Sequence, residues 1–441
     1  MKWQNGIYVA FNKMMLAKLK YTKNIVKSLK YENVKENIHQ RFYFEILTNC
    51  VHSKWILYYN LKYISSKYLS YNIKMLRSLN RIQFNKLLFT KVFNHSNLFR
   101  WHSTSPICNY GLCLDVDGVL VRGSKAIPET RTALKLLNGE NKAKKKIPFI
   151  LLTNGGGITE KEKAIELSKI LDFNLSEDQV ILSHSPMRSL VPTYQNSQIL
   201  VLGGAGDNCR KVAESYGFNR VVIPNDIVAW DQSIWPFTKL SQEDLKLIKK
   251  IDFSKEPIKA IMMFHDSRDW GRDLQITLDV LRSKDGYVGK LENNDVANLT
   301  NIPLYFSNPD IIWSNDFPIS RYAQGSFRIC LDFLAEVITG HKLKYKLFGK
   351  PEPVTYLYAA EKLRKFAMKF TDENVPNRRI YAVGDNPASD IAGANRAGWT
   401  SILVRTGVFS GKVNDPINPA NHVVDNILHA VEWIFSKEEG I

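Results

Sequence analysis

Two carboxylates set one residue apart, Asp115 and Asp117, end the apolar run Leu112-Cys113-Leu114 and are followed by Gly118-Val119. They share side-chain parity, so both can lean toward one point, and Gly118 lets the backbone turn sharply away. Three more polar groups follow along the chain: Thr153-Asn154-Gly155-Gly156-Gly157, Gly349-Lys350-Pro351 and Gly384-Asp385-Asn386-Pro387-Ala388-Ser389-Asp390. Carboxylates, a lysine and a glycine-rich loop supply positioning and charge stabilisation, which is most of what phosphoryl transfer asks of a protein. An Asp pair alone is usually a turn former or helix cap. Four polar groups, three of them directly after strand-like apolar runs, are not explained that way.

The elements that must position them are strands. Leu112–Leu114, Ile147–Leu152 and Ile380–Val383 are too short and too abruptly ended for helices and read as central parallel strands. Active sites lie at the carboxyl ends of such strands in open α/β sheets. Thr159 with Glu162 predicts a capping box for a helix whose Ala164, Leu167 and Leu171 share a face. Residues 107–180 and 326–435 are expected to form one discontinuous, doubly wound core. Residues 181–325 have their own α/β pattern, with strands expected at Gln198–Leu202 and Ile258–Phe264. Gly203-Gly204-Ala205-Gly206 fits a dinucleotide fingerprint poorly and reads as a structural turn.

The order Asp-x-Asp-Gly-Val, Thr-Asn-Gly, Gly-Lys-Pro and Gly-Asp-Asn-x-x-Ser-Asp-Ile resembles the haloacid dehalogenase superfamily, and the long insert between the second and third motifs is similar to its class IIA branch. Finer features resemble a mitochondrial branch: His265-Asp266-Ser267-Arg268-Asp269-Trp270, Asn308-Pro309-Asp310 and the run from Trp399 to Val408. The resemblance covers about residues 107 to 435. It implies a Rossmann-like core with an inserted α/β cap of the C2 type, and Mg²⁺-dependent hydrolysis of a small phosphorylated metabolite. On this reading Asp115 is the nucleophile and forms an aspartyl-phosphate. Asp117 protonates the leaving oxygen and then deprotonates water. Thr153, Asn154, Gly155 and Lys350 bind the phosphate. Asp115, Asp385 and the backbone carbonyl of Asp117 hold Mg²⁺ through oxygen alone. Asn386 and Asp390 support the site, Asp390 either as a helix cap or as a group that orients Lys350 and a metal-bound water. The presence of Asp117 favours phosphate esters over carbon–halogen bonds. Phosphotransfer to another acceptor needs only the same motifs, and binding without turnover is the non-enzymatic alternative. The cap should choose the substrate, with Arg268, Asp269, Trp270, Asn308, Asp310 and Arg321 as candidate contacts.

Charge is uneven. Residues 1–106 hold 18 Lys or Arg and three acids, against 42 and 40 in the remainder. The acid-free stretch from Met75 to Ser103 mixes Arg, Lys, Ser and bulky apolar residues, the composition of a mitochondrial transit peptide. Arg100 shortly before Ser103 resembles a matrix processing site. We therefore read Met75 as the start and the upstream 74 residues as a gene-model extension, the alternative being an unusually long presequence. This places the mature protein in the matrix and leaves no nucleic-acid-binding arm. No run of about 18 uncharged apolar residues exists, so no transmembrane helix is expected. Five scattered cysteines lack metal-ligand spacing and read as reduced thiols. A homo-oligomer remains open.

Overall fold

The computed structural model describes residues 109–291, 299–313, 317, 319–369, 375–376 and 379–440. They belong to one compact unit, His102–Ile441. The basic segment, its processing site, Cys50 and Cys108 lie outside the described residues.

In chain order the elements that matter are β1 (Gly111–Leu114), α1 (Thr130–Leu137), β2 (Phe149–Leu152), α2 (Glu160–Leu171), β3 (Val180–Ile181), β4 (Gln198–Leu202), α3 (Asn208–Tyr216) and β5 (Arg220–Val222). They continue with β6 (Ala260–Met263), α4 (Trp270–Arg282), β7 (Leu304–Phe306), β8 (Ile312–Trp313), β9 (Arg321–Tyr322), α5 (Gln324–Thr339) and β10 (Lys346–Leu347). The last are α6 (Pro353–Ala367), β11 (Ile380–Gly384), α7 (Ala392–Ala397), β12 (Thr400–Val404), β13 (His422–Val424) and α8 (Ile427–Glu439).

The first sheet runs β13-β12-β11-β1-β2-β3, parallel throughout. Its strands are apolar on both sides because helices cover both faces. Leu112, Leu114, Leu151, Tyr381 and Val383 pack with α1, α2 and α8. Their neighbours Cys113, Ile150, Leu152 and Ala382 pack against Tyr356, Ala359, Ala360 and Leu363 of α6. Strand order reverses between β1 and β11, and that switch point opens a crevice beyond their carboxyl ends.

A second parallel sheet runs β10-β7-β6-β4-β5. One face packs on Ile276 and Val280 of α4 and Phe327, Leu331 and Ala335 of α5. The other packs on Val212 and Ala213 of α3. The chain returns to the first sheet later than residue 326, because α5 and β10 are built into the second sheet. The fold is α/β, with two parallel sheets. Gly203, Gly204 and Gly206 all have positive φ, so their run is a turn, and the Thr159–Glu162 capping box forms. Among the described residues no helix is long and apolar enough to cross a membrane. Cys113 and Cys209 are buried free thiols, while Cys330 is exposed.

Candidate active site

β1 and β11 deliver Asp115 and Asp385 side by side, and Asp115 N–H donates to the Val383 carbonyl at 2.9 Å. Asp115 is 7% exposed, yet Lys350 Nζ reaches it at 2.5 Å and Asp390 at 2.7 Å. Burial opposes a charge on Lys350, but Asp115 and then Asp390 outweigh it and hold the ammonium well above the usual lysine range. Burial pushes the Asp115 carboxyl up against the pull of Lys350, with Asp390, Asp385 and Asp117 adding to the rise. Burial and then Asp390 push Asp385 up to about 7.

Oxygens of Asp115, Asp385 and Asp390 lie within 4.8 Å of one another. These buried carboxylates, offset by one lysine, form an oxygen-only set short of positive charge. That donor chemistry fits a hard divalent cation. The backbone makes room for the cluster: a Cβ on Gly407 would stand 1.9 Å from Asp385 Oδ2, and one on Gly118, at φ +88°, 2.4 Å from it. Val408 N–H donates to the same oxygen at 2.6 Å.

Thr153 Oγ1 donates to Asp117 Oδ2 at 3.2 Å and accepts from Gly155 N–H at 2.9 Å. It therefore holds the exposed Asp117 toward the cavity while shaping the glycine loop. The Asn154 side chain is saturated by structural duties. Its Oδ1 accepts from Lys350 N–H at 2.7 Å, and its Nδ2 donates to the Lys350 carbonyl at 3.0 Å and to Asp310 Oδ2 at 2.8 Å. Asp390 does more than cap a helix. Its carboxylate accepts from both Lys350 Nζ and Asn386 N–H, and Tyr356 Oη donates to its carbonyl at 3.0 Å.

All nine expected site residues, Asp115, Asp117, Thr153, Asn154, Gly155, Lys350, Asp385, Asn386 and Asp390, line one cavity of about 310 Å³. Arg268, Asn308 and Asp310 from the second sheet's loops line it too. Three expected contacts do not. Asp269 caps α4 through Arg272 N–H, Trp270 packs on Phe327, and Arg321 lies over Phe317.

Sequence reasoning missed Lys163, Ile312 and Trp313, which also line the cavity, and carried His265 and Asp266, which line it too, only as part of a motif with no site role. It also missed the buried His184 behind the glycine loop. A Cβ on Gly156 would stand 2.8 Å from His184, and one on Gly157, at φ +87°, 2.4 Å from His265. The glycine run thus gives the first sheet's loop close approach to the His265 turn, a signal that three consecutive glycines hinted at without naming the neighbour.

A buried carboxylate pair at the switch point of a parallel sheet, with a lysine and a glycine loop converging on it, defines a haloacid dehalogenase-type site. Residues 112–219 match the sequence model of haloacid dehalogenase-like hydrolases, and residues 347–430 match a second, HAD-hydrolase-like model. The chain belongs to the haloacid dehalogenase-like hydrolase family. It is 37% identical to mitochondrial hydrolase YKR070W of Saccharomyces cerevisiae, over 72% of this chain and 94% of that protein. It is 42% identical to a cardiolipin synthase (CMP-forming)/mitochondrial hydrolase fusion protein of Schizosaccharomyces pombe, over 76% of this chain but only 54% of that longer one. Among solved structures, a 4-nitrophenylphosphatase of Thermotoga maritima shares the fold at 19% identity and a TM-score of 0.50, covering 73% of this chain and 95% of its own.

Proposed function

We propose that the protein is a mitochondrial phosphatase that hydrolyses a small phosphomonoester through an aspartyl-phosphate on Asp115. The observation that carries this reading is Asp115 itself: buried, 2.5 Å from Lys350, and in one cavity with Asp117. The ionised Asp115 attacks phosphorus, and the P–O bond to the leaving alcohol breaks. Asp117, held by Thr153, gives its proton to that alcohol oxygen. Asp117 then takes a proton from water, whose oxygen attacks the acyl phosphate, releasing phosphate and restoring Asp115. Lys350 offsets the charge between nucleophile and phosphoryl group throughout.

Asp115 and Asp385, with Asp390 within reach, would hold Mg²⁺, which supplies charge neutralisation at the phosphoryl oxygens when bound. The second sheet and its loops serve as the cap of a class IIA enzyme. The mitochondrial names of the fungal relatives and the basic, acid-free stretch after Met75 support a matrix location.

The test is phosphate release with Mg²⁺ by the wild-type chain and by Asp115→Asn. Asn cannot form the acyl phosphate, so release should fall by at least about a thousandfold, on the scale of losing a nucleophile. Release by Asp115→Asn equal to wild type would refute the assignment.

A further inference from the structure

Lys350, the cation at the inner end of the cavity, is already committed to Asp115 and Asp390. Two further cations line the same cavity, Arg268 from the loop after β6 and Lys163 from the first turns of α2. Arg268 is exposed and makes no hydrogen bond or ion pair with any described residue; Asp266 acts on it only through its field. Lys163 pairs at 3.0 Å with Glu166, whose side chain is 46% exposed. A surface pair at that helical spacing contributes little, so a ligand can displace Glu166. Both cations act on the same imidazole: burial, then Arg268, His184 and Lys163, push His265 down to about 4. His265 is therefore neutral at physiological pH and adds polarity there without charge. The two cations thus line one cavity, Arg268 from a loop of the second sheet and Lys163 from helix α2 beside the first.

Resting on the phosphatase reading above, we infer that the preferred substrate carries a second anionic group on its leaving alcohol, a carboxylate or another phosphate, recognised by Arg268 and Lys163. A guanidinium without a partner matches either anion through two parallel hydrogen bonds. Ile312 and Trp313 line the cavity as well and offer apolar contact to a short carbon skeleton. A volume of about 310 Å³ admits a compact phosphate ester. A neutral alcohol would leave Arg268 without a hydrogen-bonded anion and Lys163 on its surface pair with Glu166.

The experiment compares kcat/KM of the full chain, with Mg²⁺, for glycerol 3-phosphate, 3-phosphoglycerate and glycerol 1,3-bisphosphate. Esters with a second anion should be preferred by about ten- to a hundredfold, the range of a charge-assisted hydrogen bond. The carboxylate and bisphosphate arms decide which anion fits better. Arg268→Gln should collapse the preference to within about threefold, Lys163→Gln should lower it, and Arg268→Lys should keep part of it. Equal wild-type values for the three esters, or a preference unchanged in Arg268→Gln, overturns the inference while leaving the phosphatase reading intact. Should no ester turn over, that reading fails. The inference is then decided by calorimetry with 3-phosphonopropionate against propylphosphonate: tighter binding of the former, lost in Arg268→Gln, sustains it, and equal affinities end it.

Discussion

His184 has its proton placed by its neighbours. Its Nε2 accepts from Gly157 N–H at 3.3 Å, so Nδ1 carries the hydrogen and donates to Tyr216 Oη at 2.7 Å. Tyr216 donates onward to Glu160 Oε1 at 2.7 Å, and Arg188 closes the network on the other oxygen. The chain of bonds ties the glycine loop to α2 and, through Tyr216, to α3 of the second sheet. Burial pushes His184 down to about 4 against the pull of Glu160. His265 is lowered likewise. The unfolded rings take a proton near pH 6.5 and the folded ones near 4, so this stability is complete above about 6.5 and is lost as pH falls toward 4. Each ring accounts for roughly 3 kcal/mol over that window. His184→Gln keeps an acceptor for Gly157 and removes one ring's share, so its denaturation midpoint should change less between pH 7 and 4.5. A pH slope equal to that of wild type would sink the idea. None of this was readable beforehand, because a lone histidine after Leu182-Ser183 matches no spacing rule. Asp115 and Asp385 were readable because abrupt apolar runs announce where strands stop, and Lys350 only from its place in the motif order. Asn154 was readable as a site residue, but its duty of holding Lys350 depends on contacts 196 positions apart.

At the scale of elements, β1, β2, β4, β6 and β11 were legible as short apolar runs, and α2 as a capped amphipathic helix. What the pattern did not disclose was partnership. The stripe Phe327, Leu331 and Ala335 says that α5 buries a face, not which sheet receives it. β10 has two residues and no period, so its pairing with β7 leaves no trace in the sequence. The same holds for the loop after β12, whose Gly407 and Val408 fold back onto Asp385. That return can be tested. Gly407→Ala drives a Cβ into the buried carboxylate of Asp385, 1.9 Å from its Oδ2. The strain should cost about 1–3 kcal/mol. It should also displace Asp385 from the cation set, so the rise in Tm on adding Mg²⁺ should fall by at least about half while binding free energy is lost. A Mg²⁺ response matching wild type would show that Asp385 holds no cation.

For the whole molecule the question is what the basic quarter of the chain contributes. Residues 1–106 carry nearly all of the net charge of +17, and the remainder is close to neutral. Every site residue, both sheets and their cores fall within the unit that begins at His102. Charges separated by more than about 8 Å of physiological saline are largely screened. The lysines and arginines of the basic segment act on whatever anionic surface they touch, each worth about 1 kcal/mol near an acidic membrane. The full chain should therefore bind anionic phospholipid vesicles with an affinity that drops steeply between 50 and about 300 mM salt. A chain beginning at Ser103 should not bind them. The two should release phosphate from a common ester at rates within about twofold, since every described residue that lines the cavity lies at or after Asp115. Vesicle sedimentation alongside steady-state kinetics reads both quantities on the same preparations. If the shortened chain unfolds or loses activity, the basic segment is part of the working enzyme and the transit-peptide reading of Met75 to Ser103 is wrong.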